Sequence, residues 1–208
     1  MTKDRFEELF DQILCGELVS SGFRRKGRNL LLSRGELQLG LLRAGGKLAG
    51  PGGICHILGL RHTCLRDSKE LTLLVDPPTD PTDYPLWANP EALEFESSGE
   101  WGRYQGDRLG SKPYGLFSWG GWDERELVEH LEKLAYQINH RWLPWALTVE
   151  PEDISRQLEE FRDTWWIARI WLEDYATHVE RPSRNNESSW PDDQVGRRDS
   201  IRDPADRN

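Results

Sequence analysis

Phe6, Leu9, Phe10, Ile13, Leu14 and Leu18 recur at spacings of three and four, which predicts an N-terminal helix with one apolar face, closed at Gly22. Two short apolar runs follow, Leu30-Leu31-Leu32 and Leu37 to Leu42. The turn Ser33-Arg34-Gly35-Glu36 lies between them, and the whole reads as a β-hairpin although leucine is a weak strand former. After a glycine-rich stretch from Gly45 to Gly53, Ile54 to Leu60 is expected to be a third strand and Leu71 to Val75 a fourth. The segment Asp76 to Pro90 carries five prolines, which remove backbone donors, so it is predicted to be a long acidic loop without helix or central strand.

Asp123 and Glu126 stand in a capping-box spacing, and Leu127, Leu131, Leu134, Ile138, Trp142 and Trp145 mark the buried stripe of the helix they open. Pro144 is expected to end or kink that helix, and Pro151 to sit in the first turn of the next. Ile154, Leu158, Phe161, Trp165, Ala168, Leu172 and Tyr175 mark this last helix as one element. Beyond Val179 turn formers and mixed charges dominate, so 180–208 is expected to be a disordered tail. The pattern predicts a single α+β domain over 1–179: an antiparallel sheet of about four strands packed against an N-terminal helix and two C-terminal helices.

Composition narrows the setting. With 208 residues and 37% hydrophobic content the chain can bury one sizeable core. Charged residues break up the opening MTKDRFEELF, and no run of about 18 apolar residues occurs. The expectation is a chain without signal peptide or membrane span. Cys15, Cys55 and Cys64 are odd in number and form no Cys-x-x-Cys pair, which suits a reducing, cytoplasmic compartment. The net charge of −9 is uneven, because 67–100 holds nine acids against the single Lys69. Such a field disfavours nucleic acid and favours a basic protein partner.

Tests for chemistry mostly fail. A phosphate loop needs Gly, four residues, then Gly-Lys-Ser/Thr; Gly40 to Gly45 followed by Gly46-Lys47-Leu48 places the lysine one position late and lacks the hydroxyl. Cys55, His56, His62 and Cys64 have zinc-ligand chemistry. In one strand, however, His56 and His62 stand about 20 Å apart and Cys55 points to the other face. A core cysteine and partly exposed histidines are the expectation, and no metal or other cofactor is assigned. Asp76, Asp80 and Asp83 lack the glycine and terminal glutamate of a calcium loop. His130 and His140 fall away from the apolar stripe of their helix, where solvent exposure is expected. Arg24, Arg25, Lys26 and Arg28 suit a solvated strand edge better than a phosphate or nucleic-acid site.

Tryptophan is over-represented, with ten residues. Trp142, Trp145 and Trp165 fall on buried stripes, whereas Trp166 and Trp171 lie off the stripe of the last helix and are candidates for a partner-facing patch. Trp119-Gly-Gly-Trp122 reads as a packed turn first and an aromatic platform second.

The order of elements, with Gly22-Phe23 followed by the basic Arg24-Arg25-Lys26-Gly27 and a late helix running into Leu143-Pro144-Trp145, resembles Domain of Unknown Function 4304 over about residues 5–147. The chain departs from that pattern in having Leu30 where an aromatic often follows the basic cluster, in its acidic loop, and in its C-terminal helix and tail. The resemblance implies a small bacterial α+β domain and carries no catalytic residues. By analogy with accessory proteins encoded beside toxins, it also admits an immunity-type role.

The reading that follows is a non-enzymatic protein-binding domain, with no catalytic residue assigned. In its specific form it is an immunity-type protein neutralising a basic toxin through Asp76, Asp80 and Asp83, with Trp119, Trp122, Trp166 and Trp171 as apolar anchors. The alternative is an enzyme of unrecognised type with a cleft between sheet and helices holding His56, His62 or Cys64.

Overall fold

The computed structural model describes residues 1–44, 53–88, 90, 115–118 and 123–179; the expected tail, 180–208, lies outside them. Helix α1 (Lys3–Phe10) starts where the Thr2 hydroxyl accepts the Arg5 N–H. It passes through a π turn (Asp11–Cys15) into α2 (Gly16–Ser20). The wide turn shifts the phase of the apolar face, so Leu14, Cys15 and Leu18 point inward with Phe6, Leu9 and Phe10. Gly22 sits at φ 99°, and the Phe23 N–H reaches back to the Leu18 carbonyl, a left-handed cap of the kind glycine permits.

Six antiparallel strands make one sheet among the described residues. β1 (Arg24–Lys26), β2 (Asn29–Arg34), β3 (Leu37–Ala44) and β4 (Gly53–His62) pair in chain order. β5 (Leu86–Ala88) and β6 (Gly115–Ser118) both pair with the remaining edge of β4, at 58–60 and 53–56. Leucines hold these strands because both faces of the sheet are covered, so their burial outweighs a poor intrinsic preference. Leu30, Leu32, Leu37, Leu39, Leu41, Leu58 and Leu60 join the helices in the main core; Leu31, Leu42 and Ile57 face the other way with Tyr84.

α3 (Glu124–Gln137) opens with the expected capping box: the Glu126 N–H donates to Asp123 and the Asp123 N–H to Glu126. A second π turn (Ile138–Trp142) leads into α4 (Leu143–Ala146), with Pro144 at its start. Proline cannot donate to the carbonyl four residues back, and the wide turn takes up that loss before the helix stops two residues later. α5 (Pro151–Glu159) and α6 (Trp166–Val179) pack against each other.

The α+β architecture is as expected, and three details differ. The expected fourth strand, Leu71 to Val75, is absent, and only an isolated bridge between Arg66 and Leu73 forms there. The expected acidic loop instead contains β5, which lies at the sheet edge after the last proline-rich turn. Arg24, Arg25 and Lys26 form the exposed edge strand β1, in line with the solvated edge expected of them. The single last helix is two, broken at 160–165, and Trp171, three residues after Ala168 and four before Tyr175, shares the buried face of α6 with Ile167, Ala168, Leu172 and Tyr175.

Candidate functional site

The groups with chemical potential are held in structural roles. His62, at the end of β4, is buried, with Nε2 3.3 Å from the Val149 carbonyl and Nδ1 3.0 Å from the Tyr175 hydroxyl. A carbonyl only accepts, so Nε2 carries the proton and Nδ1 accepts from Tyr175, which fixes one neutral tautomer. Burial lowers the pKa of His62 and raises that of Tyr175.

His56, six residues back on the same face, is wholly buried and stacks on Phe10 with ring centroids 5.3 Å apart. Desolvation first, then the charges of Arg43 and His130, push it down to about 3. Arg43, opposite His56 in the register, donates two 2.6 Å bonds to Glu7 and lies over Phe6 and Phe10. That contact lowers the pKa of Glu7.

The expectation that both histidines would be partly exposed is therefore corrected: helices cover the face they share. His130 is half-buried and His140 exposed. Burial raises the Cys15 thiol to about 11 and the half-buried Cys64 thiol to about 12, far from a reactive thiolate. Among the described residues no three His, Cys, Asp or Glu side chains converge on a metal position.

The other face of the sheet is covered by the segment that follows β4. Tyr84 lies in a trough floored by Gly40 and Gly59, and a Cβ built at Gly59 would meet the Tyr84 ring at 2.5 Å. Its hydroxyl donates to the Pro78 carbonyl at 2.7 Å. The buried Arg61 guanidinium, on the same face, donates to the carbonyls of Asp83, Leu65 and His62 and so clamps the segment at both ends.

Asp67 organises the part between. Its carboxylate accepts from the N–H groups of Lys69, Glu70 and Thr72 and from the Thr72 hydroxyl, at 2.7–2.9 Å. Partial burial opposes its charge, but these four donors outweigh it and hold its pKa below the usual carboxylate range. The Asp67 N–H donates to the Thr72 carbonyl, and Gln38 donates to the carbonyls of Leu74 and Val75. On this frame Leu71, Leu73 and Val75 are 40%, 64% and 94% exposed.

The acids expected to meet a partner are engaged internally. Asp76 pairs with Arg24 at 2.6 Å, and Asp80 pairs with Lys69 while accepting from Thr82. Asp83 is buried, with its carboxylate accepting the Ser68 N–H at 2.7 Å. Trp171 is also buried and donates to the Arg66 carbonyl at 2.7 Å, so its assignment as an exposed anchor is corrected; three residues after Ala168 and four before Tyr175, it shares their face of the helix. Trp166 is 59% exposed. Trp119 and Trp122 lie outside the described residues.

The residues that sequence reasoning missed as surface groups are Leu71, Leu73 and Val75. Their alternation with Thr72 and Leu74 is the pattern of a half-buried strand, and nothing local reveals that the apolar side faces water. Among the described residues no helix is long and apolar enough to cross a membrane. Compared with known proteins, the chain matches no protein-family model, no curated protein and no solved structure.

Proposed function

We propose that this protein is a non-enzymatic protein-binding domain that takes a basic protein partner. The observation that supports the reading is the set of large aliphatic side chains held in water on the Asp67-pinned segment. Rigid apolar groups that form part of no core lower the ordering cost of association, which is a property of binding surfaces. The net charge of −9 suits a basic partner. Neutralisation of a basic toxin is the most specific form of the reading.

The first experiment is purification of the tagged chain from its host at low salt, followed by native mass spectrometry. A stoichiometric basic protein is the expected result. A free chain carrying a small molecule would overturn the proposal in favour of an enzyme.

A further inference from the structure

We infer that the segment Leu71–Val75 is an insertion element whose alternating side chains Leu71, Leu73 and Val75 enter an apolar cleft on a basic protein. This rests on the binding role proposed above and names the surface and the chemistry of the partner.

Three observations converge on it. The segment turns its aliphatic side chains outward. Leu71, Leu73 and Val75 point to water, Thr72 turns its hydroxyl to Asp67, and Leu74 is half-buried. Three aliphatic side chains are thus exposed within five residues of chain. Second, Leu71 has φ 55°, the one non-glycine residue with a left-handed backbone among those described. Glycine would take this conformation without strain, yet a leucine occupies it with its side chain exposed. Third, the frame is fixed before any partner arrives, by Asp67 at one end and by Gln38 and the Arg24–Asp76 pair at the other.

Charge selects the occupant. Residues 66–83 hold five acids (Asp67, Glu70, Asp76, Asp80, Asp83) against Arg66 and Lys69, and Arg24 pairs with Asp76, which leaves a local balance of −2 around the aliphatic edge. A second copy of this chain would bring two such fields together, whereas a basic surface is drawn in. Glu70, on the exposed rim beside Leu71, makes no ion pair among the described residues and is the acid best placed to contribute to that attraction.

The test uses the full chain in three tagged forms: wild type, Leu73→Ser with Val75→Ser, and Tyr136→Ser, which alters an exposed aromatic on α3. Each is incubated with host lysate at low salt, with cytochrome c added as a generic basic competitor, and bound protein is quantified by native mass spectrometry. The expected result is a basic protein recovered one-to-one by wild type and by Tyr136→Ser. Recovery should fall at least tenfold for the double variant at an unchanged melting temperature, and cytochrome c should not displace the partner. Leu71→Gly, which relieves the backbone conformation and deletes the side chain, should weaken recovery in the same direction. Equal recovery by wild type and the double variant would overturn the insertion element while leaving the binding role standing. Recovery of a second copy or of an acidic protein would overturn the assigned partner. No protein bound to wild type would remove the binding role itself, and this inference with it.

Discussion

The two faces of the sheet are built on different physics. On one, leucines from β2, β3 and β4 meet α1, α3, α5 and α6 in a broad apolar core whose strength comes from area removed from water. On the other, the described residues Leu31, Leu42, Ile57 and Tyr84 form a small cluster, and the covering segment is held by steric fit and hydrogen bonds. The first arrangement tolerates exchange of one aliphatic for another of similar volume. The second depends on single atoms, such as a missing Cβ at Gly59 or one carboxylate at Asp67. It can therefore present apolar groups outward in a fixed shape without belonging to the core.

The largest expected effect breaks the helix face. Leu131→Ala should cost about 3 kcal/mol through lost burial and the cavity left behind, and lower the melting temperature of the whole domain in a single calorimetric transition. Acid should attack the same face. His56 and His62 are held neutral below the unfolded value of about 6.5, so the unfolded chain binds more protons. Their contribution is complete above that pH and is lost as pH falls toward their folded values. Urea titrations from pH 7 to pH 4 should show this decline, with a shallower slope in His62→Gln; an unchanged slope would mean that His62 titrates normally.

On the loop face, Gly59→Ala should cost about 2 kcal/mol by overpacking against Tyr84. Hydrogen exchange should then quicken in 67–86 before it does in α3. Uniform quickening would show that the two faces unfold as one unit. Asp67→Asn should cost about 1–3 kcal/mol, because the amide keeps one acceptor oxygen and turns an NH2 toward two of the four donors. The wild-type benefit of that carboxylate is present above its unfolded pKa near 4 and fades as pH falls below it, the folded pKa being lower. The smallest effect is reserved for Arg24→Ala, which removes an exposed ion pair and should leave the melting temperature unchanged within error.

Much of the helix face was legible in the chain. The spacing from Phe6 to Leu18, the Asp123 box and the stripe from Leu127 to Trp142 each carry a local signal, and each element forms. The loop face was not. Leu71 to Val75 has the alternation of a strand, but Lys69, Glu70 and Thr72 donate four hydrogen bonds to the carboxylate of Asp67, a few residues earlier, and these turn it into a pinned loop. Trp171 was misplaced because the buried face of its helix is wider than the stripe through Ala168, Leu172 and Tyr175, and the break at 160–165 has no glycine or proline to announce it.

The chain by itself determined that helices form near the N-terminus and from Asp123 onward, and that an antiparallel sheet packs against them, because caps and periodicities are properties of neighbouring residues. Only the tertiary structure decided which side of each strand meets water. It also decided that Tyr84 fills the space above Gly40 and Gly59, that Asp83 and Trp171 are interior, and that Leu73 and Val75 are not. Burial depends on what covers a surface, and here the cover comes from residues distant in sequence.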